Sequence, residues 1–163
     1  MPCTRVGTWP GAGTAFFTPL GHGADDVVTV RSDRIVAASD GGPRTDQLLL
    51  ELRLVPGMAV TYPRTVTLGA STEGACRECV TVGRDLMGGT AAQRFFVATG
   101  TLFISRADDA AMGRVEMMGG GPLQLVEWSA TDSAVAGGGC YTIDQVTFTL
   151  DYSQGPITGQ GDM

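Results

Sequence analysis

The chain has 163 residues, a net charge of −6 and 24 glycines, the last being about 15% of the sequence and roughly twice the usual share. All 11 cationic residues are arginine, so there is no basic excess to neutralise phosphates, which excludes general nucleic-acid binding. No apolar run approaches the ~18 residues of a membrane span; a hydrophobic share of 43% argues against disorder, and the glycines keep no collagen-like period.

Taken in chain order, most segments read as strands. An opening strand is broken at Pro10-Gly11. Thr14–Thr18, Val27–Val30 and Arg34–Ala38 follow, rich in residues that suit a pleated, half-buried surface. Gln47–Leu54 alternates with period two: Leu48, Leu50, Leu52 and Leu54 share one face, and Gln47, Leu49, Glu51 and Arg53 the other. Asp40-Gly41-Gly42-Pro43 and Pro56-Gly57 flank that strand as turns. Ala59–Tyr62, Arg64–Leu68, Cys79–Val82, Arg94–Ser105, Gly113–Met118 and Leu123–Trp128 are the next expected strands. Gly119-Gly120-Gly121-Pro122 is placed to close a hairpin, which would set Glu116 and Glu127 on neighbouring strands. The last long segment alternates again, with Val146, Phe148, Leu150 and Tyr152 on one face. Helix is confined to single turns at Thr90–Gln93 and Asp108–Met112.

About ten short strands punctuated by glycine predict an all-β, single-domain antiparallel β-sandwich of jelly-roll or Ig-like type, with a β-barrel as the alternative. Residues 1–152 form the expected domain, and 153–163 a flexible polar tail. Gly100 and Gly113, which fall inside or beside strands, are expected to mark bulges or strand ends.

Four cysteines, Cys3, Cys76, Cys79 and Cys140, point to disulfides and an oxidising compartment. Of the three pairings, the favoured one is Cys3–Cys140 with Cys76–Cys79. Met1-Pro2-Cys3 has neither the charged nor the apolar region of a signal peptide, so an exported form would be a mature segment with an added start methionine. The Cys-Arg-Glu-Cys motif precedes Val80-Thr81-Val82 rather than a helix, which disfavours a thioredoxin-like redox site, and a lone CxxC is half of a usual zinc signature.

Chemistry-bearing residues are sparse. His22 is the sole histidine and lies between glycines, without a nucleophile elbow elsewhere. Asp25, Asp26, Asp108 and Asp109, with Asp132, are the candidates for calcium if any cofactor binds; none is expected. Glu116 and Glu127 would suit a glycosidase only at the spacing such pairs need. Trp9, Trp128 and Tyr141 are the candidates for an aromatic platform that stacks a sugar or a peptide, with Trp9 the most exposed of them. Met112, Met117 and Met118 are expected as core gap-fillers.

The Cys76–Cys79 strand, Gly100-Thr101-Leu102, the Glu127 strand and Gly139-Cys140-Tyr141 together resemble the β-rich, cysteine-stapled domains of uncharacterised bacterial predicted lipoproteins and secreted proteins from GC-rich genomes. The likeness covers roughly the second half of the chain. It implies an extracytoplasmic location after removal of a signal sequence, and no activity. The expected function is thus a non-enzymatic, extracytoplasmic binding module for a protein or carbohydrate. The alternatives are a structural subunit of a surface fibre or envelope assembly, and a carbohydrate-active enzyme using strand carboxylates.

Overall fold

The computed structural model describes residues 3–19, 26–38, 42–54, 62–69, 76–84, 93–108, 110 and 112–154. They form an 11-stranded, helix-free sheet system: β1 (Thr4–Thr8), β2 (Thr14–Thr18), β3 (Asp26–Ala38), β4 (Gly42–Leu54), β5 (Arg64–Leu68), β6 (Glu78–Arg84), β7 (Gln93–Ala107), β8 (Arg114–Gly120), β9 (Leu123–Glu127), β10 (Cys140–Gln145) and β11 (Phe148–Gln154).

The all-β expectation holds, but the sandwich does not. Strands β7, β6, β4, β3, β2, β11 and β8 pair in that order, and β8 returns to β7, so seven strands close a barrel. Two features of β7 make closure possible. It is long, and it changes neighbours at Gly100: its first half pairs with β6 and β9, its second with β5 and β8. Gly100 takes φ +149, and a Cβ there would press on the Leu123 side chain, so glycine marks the point where the strand turns from one wall to the next. Strands β9, β10 and β1 extend from the first half of β7 as a flange outside the ring.

The structure also corrects the purely antiparallel expectation. β1 runs parallel to β10, and β2 parallel to β11. Both pairs keep one offset, Thr4 opposite Tyr141 and Ala15 opposite Tyr152, and the Cys3–Cys140 disulfide spans the same separation of 137 residues. The two ends of the fold therefore travel together from flange to ring. At that corner a Cβ on Gly13 would run into the Arg31 carbonyl oxygen, so the chain passes only as glycine.

Several expected boundaries shift for a physical reason. Val27–Val30 and Arg34–Ala38 are one strand, because β3 and β4 pair without interruption from Asp26–Leu54 to Ala38–Gly42. Gly42-Pro43 therefore belongs to β4, not to a turn. β8 and β9 make no hairpin; both lie along β7, and Gly121-Pro122 carries the chain from one half of it to the other. Residues 153 and 154 pair with Phe16 and Phe17, so the final strand outlasts the expected start of the tail. Asp108 and Met112 are not helical. The rest of that tail, most of Ala59–Tyr62 and most of Thr90–Gln93 lie outside the described residues.

Period-two alternation fills the barrel. Leu48, Leu50 and Leu52 are fully buried, facing Val28 and Val30 of β3 and Val80 and Val82 of β6. Each such side chain contributes about 1.5–3 kcal/mol relative to exposure. Phe95, Phe148, Leu102, Ile104 and Met117 complete the core. Met112 and Met118 do not join it; they are exposed.

Asp46 is fully buried and stands in the same alternating row as the leucines. It accepts a hydrogen bond from the Tyr141 hydroxyl at 2.7 Å, and Arg44 Nε lies 3.4 Å from its other oxygen. Burial, then the Asp46 carboxylate, pushes the Tyr141 phenol up to about 12. A raised folded value means this contribution is complete below pH 10 and is lost as pH climbs towards 12. Urea titrations across that window should therefore show a decline of roughly 2–3 kcal/mol from this group. Burial raises Tyr62 and Tyr152 as well, so Tyr141→Phe should make the alkaline decline shallower by the Tyr141 share, at a cost near neutrality of about 1.5–3 kcal/mol from a carboxylate left short of a donor. An unchanged alkaline slope in the variant would show that Tyr141 is not the group responsible.

Candidate functional site

The structure separates the three aromatic candidates. Trp9 is fully buried: its Nε1 donates to Ser32 Oγ at 3.1 Å, and that hydroxyl lies 3.0 and 2.7 Å from the Pro10 and Ala12 carbonyl oxygens. The Arg34 guanidinium covers the ring. Expecting Trp9 at the surface was therefore wrong; Pro10-Gly11 bends the chain so that the residue before it turns into the corner. Tyr141 is buried as well, edge-on to Phe95 at 4.8 Å. Only Trp128 is part-exposed, with its ring against Phe96 at 4.9 Å.

Trp128 opens a loop, residues 128–139, that folds back over the outer wall of the barrel. The loop is held by its own backbone: Trp128 pairs with Ala134, Ser129 N donates to Ser133 O, and Val135 N donates to Glu127 O. Trp128 N reaches across to Arg94 O, and Trp128 Nε1 donates to Asp132 Oδ1 at 2.9 Å. Asp132 sits at φ +58, a left-handed position that Asp tolerates better than most residues, which aims its carboxylate back at the indole. Glu127 ties down the base of the loop by accepting from Gly139 N at 2.9 Å.

Between this loop and the wall lies a groove of about 330 Å³. Its floor is the outward face of three strands: Glu51 and Arg53 from β4, Cys79 and Thr81 from β6, and Arg94 from β7. Its far side is Ser129, Ala130 and Asp132. The floor follows from the alternation that buries Leu50 and Leu52, since the intervening residues must point outward. Ser129, Thr131 and Ser133 bring their hydroxyls together at 2.8–3.3 Å beside the groove. Two guanidiniums, two carboxylates and hydroxyls thus share one small concavity. The Cys76–Cys79 disulfide stiffens one corner, its Cα atoms 5.6 Å apart and both cysteines buried. Sequence reasoning reached Trp128, Cys79 and, as a calcium candidate, Asp132, but missed Glu51, Arg53 and Arg94. Their alternation was visible; that a distant loop would fold over that face was not.

A second depression, of about 560 Å³, lies over β8 and β11 and is lined by Arg106, Met112, Arg114, Asp151 and Tyr152. Its guanidiniums are engaged: Arg106 holds Asp108 at 2.8 Å, and Arg114 holds Asp151 at 2.8 Å. The Arg106 hydrogen bonds keep the Asp108 carboxyl below its ordinary range, and Arg114 N adds another at 2.9 Å. Asp108 is therefore a structural anion rather than an open ligand. Asp25, Asp109 and His22 lie outside the described residues, and among those described no three His, Cys, Asp or Glu side chains gather around one point.

Glu116 and Glu127 are not brought together. Glu116 stands opposite Arg106 and Glu127 opposite Phe95, which puts roughly 35 Å of β7 between their levels. Even with β7 bent at Gly100, this arrangement lacks the separation of a glycosidase carboxylate pair. Ser105 Oγ lies 3.4 Å from the Glu116 carboxylate, and Glu127 is occupied at the loop base.

Comparison with family models, with curated proteins and with solved structures finds no match.

Proposed function

We propose that the protein is a non-enzymatic, extracytoplasmic binding module whose ligand site is the groove under the 128–139 loop, and that its ligand is a neutral, hydroxyl-rich molecule of carbohydrate type. The single observation that carries the reading is the composition of that groove: both charge signs and clustered hydroxyls, set beside a part-exposed tryptophan. Such a lining has no net sign to select an ion. It presents paired donors and acceptors, which is what a ring of hydroxyl groups needs. Its volume lies at the small end of ligand sites, suited to a single ring or the end of a chain.

Rigidity supports the same reading. The floor belongs to a closed barrel, the Cys76–Cys79 bridge holds one corner, and the Trp128–Asp132 bond holds the far side. Preorganised polar walls lose less entropy on binding. Extracytoplasmic placement is supported by the two disulfides, which persist in oxidising compartments. Among the described residues no helix is long and apolar enough to cross a membrane.

Isothermal titration calorimetry against a panel of neutral oligosaccharides (cello-, manno- and chito-series) tests the reading. At least one series should bind, and Arg94→Ala and Trp128→Ala should each weaken it by about tenfold or more, equivalent to about 1.4 kcal/mol. Absence of binding across the panel, or binding untouched by both variants, would remove the groove from consideration.

A further inference from the structure

Among the described residues one sheet edge has no ladder partner and is anchored at both ends. Strand β1 pairs with β10 on one side, and among the described residues nothing pairs with its other side. The β10 ladder fixes which groups point outward. Trp9 N donates to Gln145 O, so the alternation of the strand turns the N–H and C=O of Arg5 and Gly7 towards β10 and those of Thr4, Val6 and Thr8 away from it. The strand contains no proline and no register shift; it is five residues long and its one charge is Arg5. It is also clamped at both ends, by the Cys3–Cys140 disulfide before it and by buried Trp9 after it. Little ordering entropy remains to be lost on pairing.

The other candidate edge is covered. β5 has no ladder partner beyond β7, but the Arg64 side chain crosses from it to Glu78 of β6 as an ion pair and straps that edge.

We propose that β1 docks against β1 of a second copy of this chain, antiparallel about a two-fold axis at Val6. The register is self-complementary. Val6 meets Val6 as a doubly hydrogen-bonded pair, and Thr4 meets Thr8 on either side of it, using each outward N–H and C=O. On the opposite face Arg5 of one copy lies directly across from Gly7 of the other. No like charges meet, and a Cβ added at Gly7 has nothing within 4 Å, so there is room for the arginine. Arg5 pairs with Asp144 of its own β10 at 3.2 Å but stays largely exposed, so it remains in reach of the partner's position 7. The result is one continuous sheet running β9-β10-β1 into the partner's three matching strands, a closed isologous pair rather than an open fibre.

Sedimentation equilibrium of the full chain with both disulfides intact, from micromolar to near-millimolar concentration, tests this. A monomer–dimer equilibrium is expected, with amide exchange at Thr4, Val6 and Thr8 slowing as concentration rises. Thr8→Pro deletes an N–H that serves only the partner and should abolish the dimer. Gly7→Arg, which faces the partner's Arg5, should weaken it by about tenfold, and Gly7→Glu should tighten it by a similar factor. The Gly7 pair carries the test if the proline variant fails to fold. A strict monomer throughout the range, a dimer indifferent to the sign of the charge at position 7, or growth into longer polymers would each overturn the proposal.

Discussion

Replacing Cys3 and Cys140 together by serine is expected to lower the unfolding free energy by about 5 kcal/mol. The bridge closes a separation of 137 residues, and chain-entropy reasoning gives about 5 kcal/mol for a loop of that size. The structure adds a second reason. Cys3 and Cys140 occupy the shared register of the β1–β10 and β2–β11 pairs, their Cα atoms 4.6 Å apart, so the bridge sets the alignment of both parallel pairings at once. Parallel pairing demands a long connection and pays its closure entropy late. Here that closure spans nearly the whole chain, and the covalent link removes it from the unfolded ensemble. By the same reasoning the Cys76–Cys79 bridge, with a separation of 3, contributes about 2 kcal/mol or less. Denaturant titration of the two double-serine variants checks the ordering; a larger loss for the short loop would contradict it.

Trp9→Ala is expected to cost about 3–5 kcal/mol, the range for deleting a large aromatic from a packed core. Trp9 is the largest fully buried side chain, and it fills the corner where the opening segment passes from flange to ring. Its indole N–H engages Ser32, one of the few buried polar residues. Trp9→Phe keeps most of the ring volume but not the donor, and should cost about 1–2 kcal/mol less than the alanine variant. Midpoints of urea unfolding at constant slope measure both. A Trp9→Ala loss below about 1 kcal/mol would mean that the corner is not packed as described.

The extent to which this fold is legible in the sequence follows from which contacts are local. The leucine row of β4 and the Val146–Tyr152 row disclose their inner faces through alternation alone; all four leucines are buried, as are Val146, Phe148 and Tyr152, with Leu150 partly buried. The disulfide pairing Cys3–Cys140 is likewise recoverable, because it joins the two ends of an otherwise open chain. Barrel closure is not recoverable in the same way. It depends on β7 changing partners at Gly100, and a glycine in a strand signals a bend without saying what lies on either side of it. Trp9 misleads for a related reason. A tryptophan before Pro-Gly reads as a loop residue, whereas the pairing of β1 with β10, continued by Trp9 N to Gln145 O, and the bend at Pro10-Gly11 together turn it inward. The groove is the least legible feature. Its residues come from β4, β6, β7 and the 128–139 loop, and nothing local to any one of them shows that the loop folds over the other three.

The groove and the β1 edge lie on different elements, so the proposed ligand capture and the proposed self-pairing can be tested separately. The most direct test of the binding account is a heteronuclear NMR titration of the isotopically labelled full chain with the neutral oligosaccharide series that gives the strongest calorimetric signal. Saturable shifts are expected at the Trp128 indole N–H and at the backbone amides of Cys79, Thr81 and Ser129, with the β1 amides unmoved. Saturable shifts confined to other surfaces, or no saturable shift in any of these four signals, would contradict the account.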